Sequence, residues 1–526
     1  MVNTVPDQIP APGPPARTDV AIIGAGPAGL TAAVTAADAG CAVCVLDLGE
    51  RPGGQFWRSG PATGDGRFHH GWPAFTALRD RFAAHVAGGR IDYRPGHAVF
   101  HVGSPRAGAV FRVHAVADDR RREHAAVEAA AVVIATGAYD RQLPVPGWTL
   151  PGVMSAGAAQ ALLKGSAVVA GRRIVVAGSG PFLLPVAAGL VQAGARVVAV
   201  VEAGQPLDYL RHPVGVAAAW RKLPEAGGYL ARLACHRVPL LSRHAVVAAH
   251  GDERLQSVTV AKVSSLWERV PGSERTLEAD VLASGYGFVP QVELLAEAGA
   301  RLRAVTSEGG FAAVIGPDQQ TAVPGLFAAG ETTGVGGADL ARIEGLIAGR
   351  AAASAAASAA VGAAGSAAGR AAGSATGPAG PDGRTERERA ALRRFAAVMD
   401  RVHAVQPGWT GWPDDDTVVC RCEEVTVGRL RAAIDLGADD VRSVKLLARP
   451  GMGWCQGRIC SQAVAALTTA HPRYRDDAGT GEHDGTGHDD ATFDAERAVS
   501  RPLAQPVPLR VLAELGSEDD DAVSAD

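Results

Sequence analysis

Four of the seven cysteines stand close together, as Cys420-x-Cys422 and, 32 residues later, Cys455-x4-Cys460. Four thiolates are the ligand count of a [2Fe–2S] cluster. Zinc is the competing metal, but structural zinc pairs are usually separated by two to four residues, and C-x-C departs from that spacing. Gly451, Gly453 and Gly457 flank the second pair, where glycine lets backbone N–H groups approach cluster sulfurs. Cys41 and Cys44 lie in the strand-like CAVCVLD and read as buried structural thiols, and isolated Cys235 reads the same way. Seven cysteines in 526 residues are too few for a disulfide scaffold.

Two glycine turns form the other chemical signal. Gly24-Ala25-Gly26-Pro27-Ala28-Gly29 follows a short apolar run and opens an alanine-rich helical stretch. The first glycine permits the tight turn, the second lets the backbone approach a pyrophosphate, and the third lets helix pack on strand. The helix N-terminus then faces the phosphate charge. Asp47 ends the next strand, where an acid accepts ribose hydroxyls. The second turn, Gly178-Ser179-Gly180-Pro181, ends its next strand in Glu202, but Leu183 stands at the third glycine position. Its ligand is therefore NAD(H), another adenine nucleotide, or nothing.

Elements must hold these turns in place. Strand–turn–helix–strand patterns around residues 19–47 and 173–204 imply two parallel βαβ units, an α/β architecture. The apolar run at 321–331 leads into another helix and adds a late strand. The expected organisation is a disordered arm (1–17), a split first nucleotide-binding domain (18–165 and 286–350) and a second (166–285). An Ala/Gly/Ser linker follows (351–384), built from an alphabet too small to form a core. A connecting helix (385–412) has Thr385 and Glu388 as its capping box and Leu392, Phe395, Met399 and Val402 as its apolar stripe. Then come the cysteine domain (413–471), with helices at 427–436, about 440–448 and 458–469, and an acidic mobile tail (472–526), whose RPLAQPVPLRVLAEL segment is a candidate to dock back. Net charge is −4, with no basic excess to suggest nucleic acid. The N-terminus lacks a secretion signal and no segment has transmembrane character, so a cytoplasmic protein is expected.

The pattern resembles the two-dinucleotide-binding-domain flavoproteins, with a Rossmann-like fold. That resemblance makes the first ligand FAD. It implies that Gly54 and Gln55 approach the cofactor, that Thr136 and Gly137 end the strand leading between domains, and that Gly330 and Glu331 meet the ribityl chain. The usual acid there is Asp; Glu331 is one methylene longer. Gly336, Gly337 and Ala338 would open a helix aimed at the flavin ring. CRCEEVT…GMGWCQGRIC is similar to the helical [2Fe–2S] domain of the bacterioferritin-associated-ferredoxin type. No cysteine pair lies beside the flavin position, which argues against a disulfide reductase.

The segments RPGGQFWR, ATGAYDRQLPVPGWTLPGVMSAGAAQALLK and GSGPFLLPVAAGL, with the cluster domain, occur in the order seen in the large (A or α) subunits of opine oxidases, hydrogen cyanide synthase and sarcosine oxidase. The resemblance implies oxidation of a secondary amine or amino acid at its C–N bond, with electrons passing from flavin to cluster. It implies a partner of the D-amino-acid-oxidase type, and a small ferredoxin-like subunit in place of an N-terminal ferredoxin domain. The alternatives are an NAD(P)H:acceptor reductase and a non-catalytic electron-transfer subunit. No catalytic base is evident. His69 and His70 are a candidate pair, more readily read as loop residues, and Arg141 and Trp148 are candidates to line an inter-domain cleft.

Overall fold

A computed structural model describes residues 15–103, 110–117, 123–218, 222–305, 310–365, 382–438, 440–473 and 503–513. The first unit comprises β1 (Ala16–Ile23), α1 (Pro27–Asp38), β2 (Val43–Asp47), α2 (Trp72–Ala87), β3 (Ile91–Pro95), β4 (His97–Gly103), β5 (Phe111–Ala117) and β6 (His124–Ile134). Its strand order is β3-β2-β1-β6-β5-β4. The β1 run is wholly buried from Val20 to Ile23, as expected of a parallel strand covered on both faces.

A crossover, β7 (Ala138–Asp140), leads to the second unit: β8 (Val153–Ser155), α3 (Ala156–Ser166), β9 (Arg173–Gly178), α4 (Leu183–Gln192), β10 (Arg196–Glu202), α5 (Pro213–Ala218), α6 (Leu223–Cys235), β11 (Leu240–Ser242), β12 (His244–His250), β13 (Ser257–Lys262), β14 (Arg275–Glu278) and β15 (Val281–Gly285). Its main sheet runs β11-β10-β9-β15-β8, with β12-β13-β14 as a separate antiparallel sheet. Strand β8 pairs with β15, so this sheet takes in residues well before 166, the boundary expected from sequence. Three residues are too short a strand to read in advance.

The chain returns through β16 (Phe288–Pro290), which pairs with β7, then α7 (Glu293–Glu297), β17 (Leu302–Ala304), β18 (Phe311–Ala313), β19 (Leu326–Ala328) and α8 (Ala338–Gly365). Strand β19 joins the first sheet beside β6. Helix α8 overturns part of the expected linker. It continues to Gly365, and Ala348, Ala352, Ala353 and Ala356 are buried in one core with the alanines of α1. Alanine is the best helix former. A helix of small residues also suits a close crossing: a Cβ on Gly345 would lie 2.1 Å from Ala28 O, and one on Gly349 would lie 2.6 Å from Ala32 O.

The remaining elements are α9 (Gly383–Val402), β20 (Val418–Cys420), β21 (Val425–Thr426), α10 (Val427–Asp435), α11 (Val441–Ala448) and α12 (Ser461–Thr469). The N-cap of α9 is Asp382, which accepts from Thr385 N–H at 2.8 Å; Thr385 is not the cap. Its buried residues are Ala396 and Val398 rather than the expected stripe. At the N-terminus, residues 16–17 belong to β1, and Arg17 pairs with Glu128. The expected mobile tail has a docked part: Ala504 N–H donates to Phe100 O, and Val511 is buried with Phe100 and Val116. Residues 1–14, 366–381 and the rest of the tail beyond 473 lie outside the described residues.

Gly345→Val should place a side chain against the Ala28 carbonyl and cost about 1–3 kcal/mol in overpacking. Ala359→Val, on the exposed side of α8, should stay within about 0.5 kcal/mol. Chemical denaturation of both variants checks this.

Candidate functional site

Parallel register gathers the first set of residues. Ile23 pairs with Leu46 and Ile134, and Ala328 also pairs with Ile134. The segments after β1, β2, β6 and β19 therefore leave the sheet at one edge, the usual ligand-binding edge of such sheets. Gly24, Gly26 and Gly29 turn from β1 into α1, with Pro27 at the first helical position and Gly26 as N-cap. Gly53 N–H donates to Ala25 O, bringing Gly54 and Gln55 over the turn. A Cβ on Gly330 would lie 3.0 Å from Ala28 Cβ, so the loop after β19 reaches the same place.

The glycines differ in what demands them. A Cβ on Gly24 would meet Ala135 O at 2.4 Å, and one on Gly29 would meet Gly24 O at 1.8 Å. The protein itself requires both. Gly26 has φ −76 and its Cβ position has only Gly54 Cα nearby, at 4.0 Å. Nothing in the chain demands glycine there, and the open cradle fits the close approach of a pyrophosphate. Asp47 Oδ1 accepts from Ala25 N–H at 3.2 Å, while its buried Oδ2 makes no well-formed hydrogen bond. Burial raises its carboxyl above the ordinary carboxylate range. A ribose hydroxyl would satisfy Oδ2. These residues fit a dinucleotide such as FAD.

The loop after β19 departs from expectation in one respect. Glu331 turns its carboxylate onto the start of α8, accepting from Gly336 N–H at 3.1 Å and Gly337 N–H at 2.9 Å. The extra methylene lets it cap the helix that would otherwise present those amides, with Ala338, to a ligand. Surrounding protein pushes Glu331 up to about 7. Two residues without a sequence signal hold this loop. Fully buried Glu344 accepts from Gly330 N–H and Thr333 Oγ1, and pairs with Arg393 of α9 at 2.5 Å. No local pattern marks that pair, which joins helices separated by the alanine-rich stretch. Thr136 is also engaged, donating to Gln291 O at 3.0 Å, while Gly137 adopts φ +84.

The second turn lies at the ends of β9 and β10. Gly178 has φ +145, and a Cβ there would overlap Gly285 O. Gly180 N–H donates to Glu202 at 3.0 Å. Helix α4 starts only at Leu183, which is buried, so Pro181 precedes the helix instead of opening it as Pro27 does.

The four cluster-type cysteines converge. Cys420, Cys422, Cys455 and Cys460 all line one cavity of about 550 Å³, together with Tyr139, Asp140, Trp148 and Ser155 of the crossover region. Gly451 N–H donates to Cys420 Sγ at 3.4 Å. A Cβ on Gly453 would fall 2.4 Å from Cys422 Cβ, so glycine is required where the two cysteine loops meet. The Cys460 thiol lies within hydrogen-bond reach of Cys420 and Cys455, which lowers those two while Cys460 and Cys422 are raised, the mutual coupling of sulfurs held close together. Four converging cysteines, two from each of two loops, supply the ligand set of a [2Fe–2S] cluster.

The cysteine domain packs on the body. Trp148 Nε1–H donates to Val418 O at 2.6 Å, Arg141 Nε–H donates to Gln462 Oε1 at 3.1 Å, and Arg458, between the last two cysteines, pairs with Glu293 at 3.3 Å. Arg141 and Trp148 thus anchor an interface. His69 lies 2.6 Å from Arg58 O and burial lowers its pKa, while His70 pairs with Glu225. Cys44 is buried, its thiol pushed up to about 12, and Cys41 is half-buried in the turn before β2. Cys235 is exposed, unlike the buried thiol expected.

Gly26→Ala should leave folding intact and weaken FAD retention by roughly tenfold or more; Gly29→Ala should destabilise the fold itself. Flavin absorbance and thermal melts separate the two. Glu331 ordinarily titrates near 4.5. Between that pH and about 7 the unfolded carboxyl releases its proton while the folded one keeps it, so this group's contribution to stability falls as pH rises through the window. Glu331→Gln should reduce that slope in denaturation midpoints measured across it.

Residues 18–360 match the pyridine nucleotide-disulphide oxidoreductase family, and residues 418–469 match the BFD-like [2Fe-2S] binding domain. The chain is 31% identical to the A subunit of the opine oxidase of Agrobacterium tumefaciens, over 86% of each chain. It is 32% identical to the HcnB subunit of hydrogen cyanide synthase of Pseudomonas aeruginosa, over 84% of this chain and 90% of that one. The fold is like that of L-proline dehydrogenase from P. horikoshii, with a TM-score of 0.59 at 18% identity, covering 95% of this chain and 81% of that one. The chain therefore belongs to the pyridine nucleotide-disulphide oxidoreductase family, as a flavin oxidoreductase related to the opine oxidase A subunits and carrying a C-terminal BFD-like [2Fe–2S] domain.

Proposed function

We propose that this chain is the electron-handling subunit of a heteromeric dehydrogenase or oxidase acting on a CH–NH or CH–NH2 donor, a secondary amine or amino acid. The observation that carries this reading is the shared cavity: the four cluster cysteines and the crossover between the nucleotide-binding units line it together. A flavin accepts a hydride from such donors and can release electrons singly to an iron–sulfur centre.

The chain's own residues supply binding and tuning. Gly24, Gly26 and Gly29, with the N-terminus of α1, would hold the pyrophosphate of FAD, and Asp47 Oδ2 would accept from its ribose. Gly54, Gln55, Gly330 and Gly337 would border the rest of the cofactor. Cys420, Cys422, Cys455 and Cys460 hold the irons, and the Gly451 N–H donated to Cys420 Sγ stabilises negative charge on that sulfur. The relatives named above are subunits, which supports a hetero-oligomer, here with a D-amino-acid-oxidase-type flavoprotein and a small ferredoxin-like subunit. Met452 and Trp454, beside Cys455, are exposed apolar residues suited to such a contact.

A non-catalytic relay within the same complex is the second reading. It is favoured by the lining of the cavity that the cluster cysteines share with the crossover, to which neither His69 nor His70 contributes.

The complex, purified with its partner and offered secondary amino acids anaerobically, should bleach the flavin and then reduce the cluster. Bleaching of the isolated chain would assign oxidation to this subunit. Turnover without any reduction of its cluster would contradict an electron-handling role.

A further inference from the structure

The two glycine turns look alike in sequence and stand in different surroundings. In the first, Asp47 keeps one carboxylate oxygen without a well-formed hydrogen bond. In the second, both oxygens of Glu202 are engaged: Oε2 accepts from Gly180 N–H at 3.0 Å and Oε1 from Gly204 N–H at 2.8 Å. A third group crowds the same carboxylate. His403, the residue that ends α9, places Nδ1 3.7 Å from Glu202 Oε1 and 3.3 Å from Ser179 Oγ, inside the glycine turn itself. Its Nε2 lies 3.0 Å from Tyr209 O–H. The side chains of His403 and Glu202 are only 10% and 12% exposed.

The acid at the end of this strand is where a bound dinucleotide would place its adenosine ribose hydroxyls. The cradle for its phosphates is altered as well. In the first unit the helix starts three residues after Gly24, at Pro27; in the second it starts five residues after Gly178, at Leu183. The withdrawn N-terminus and the buried leucine weaken the anion site that makes such turns bind phosphate.

The arm that brings His403 is fixed on both sides of it. Upstream, Val398 packs so tightly on Gly215 that a Cβ there would lie 2.3 Å from Val398 Cγ2. Downstream, Gly408 N–H donates to Leu266 O, and Trp412 Nε1–H donates to Trp267 O at 2.9 Å. Trp412 and Trp267 stack with ring centroids 6.0 Å apart.

We propose that the second nucleotide cleft is closed from within, with His403 and Tyr209 standing at the adenosine-ribose position. The cleft then serves as the socket that anchors the arm leading to the cysteine domain. On this account NAD(H) is not a redox partner, and the chain carries one dinucleotide cofactor rather than two. The inference is independent of the amine-oxidising reading, because its test uses no amine.

The test uses the full-length protein with flavin and cluster in place. Calorimetric titration with NADH, NAD+ and ADP should give no saturable binding up to millimolar concentration, and anaerobic NADH should leave the flavin oxidised. Hydrogen–deuterium exchange should speed up by tenfold or more across 403–412 in His403→Ala, with less change in His403→Asn. Micromolar nucleotide binding to the unaltered protein that disappears in Glu202→Ala would overturn the proposal. So would unaltered exchange across 403–412 in His403→Ala.

Discussion

The apolar contact between the cysteine domain and the crossover segment is the constraint on which the redox geometry rests. Leu143, Val145, Trp148, Trp267, Tyr286, Trp409 and Trp412 share one buried core with Val419, Val425, Leu430, Val444, Val464 and Leu467. Cys420 and Cys460 are buried within it. Its five aromatic side chains, Trp148, Trp267, Tyr286, Trp409 and Trp412, bury large rigid surfaces that fix orientation as well as proximity. Electron transfer needs a defined separation between centres, and this core supplies it where a linker alone would not. The polar contacts at its rim, Arg141 to Gln462 and Arg458 to Glu293, set the register of one part on the other.

The two nucleotide-type units show how little a motif decides without its surroundings. The same strand, turn and terminal acid give an open cradle in one unit. In the other they give a carboxylate saturated by Gly180, Gly204 and the nearby His403. Helix α9 touches both. Arg393 reaches the loop after β19 through Glu344 and Thr333, and further along the chain His403 reaches the second glycine turn. One arm therefore braces the loop facing the first cleft, fills the second and carries the chain to the cysteine domain.

Much of this is legible in the sequence, for reasons tied to particular residues. Gly24, Gly29 and Gly178 sit where a Cβ would strike backbone, and no other residue type meets that demand, so the turns announce themselves. The cysteine domain reads equally well, because thiol spacing and flanking glycines are local. What stays hidden is non-local. The alanine run is incapable of a core when considered alone, whereas α1 offers it a matching surface of small residues. Glu344, Arg393 and His403 carry no signature, since each acquires its role from a partner far along the chain. Glu331 is identifiable, but its bend onto Gly336 and Gly337 follows from one extra methylene and the loop's curvature, which a motif does not encode.

The central claim is that a flavin and an iron–sulfur centre are held by this one chain and exchange electrons. Anaerobic reductive titration of the purified holoprotein, followed by visible absorbance and electron paramagnetic resonance, with iron, zinc and labile sulfide assayed on the same sample, tests it most directly. The account predicts flavin bleaching together with the signal of a reduced [2Fe–2S] cluster, and iron matched by labile sulfide. A colourless protein, zinc in place of iron, or a flavin that bleaches while the cluster stays oxidised under every condition would contradict it.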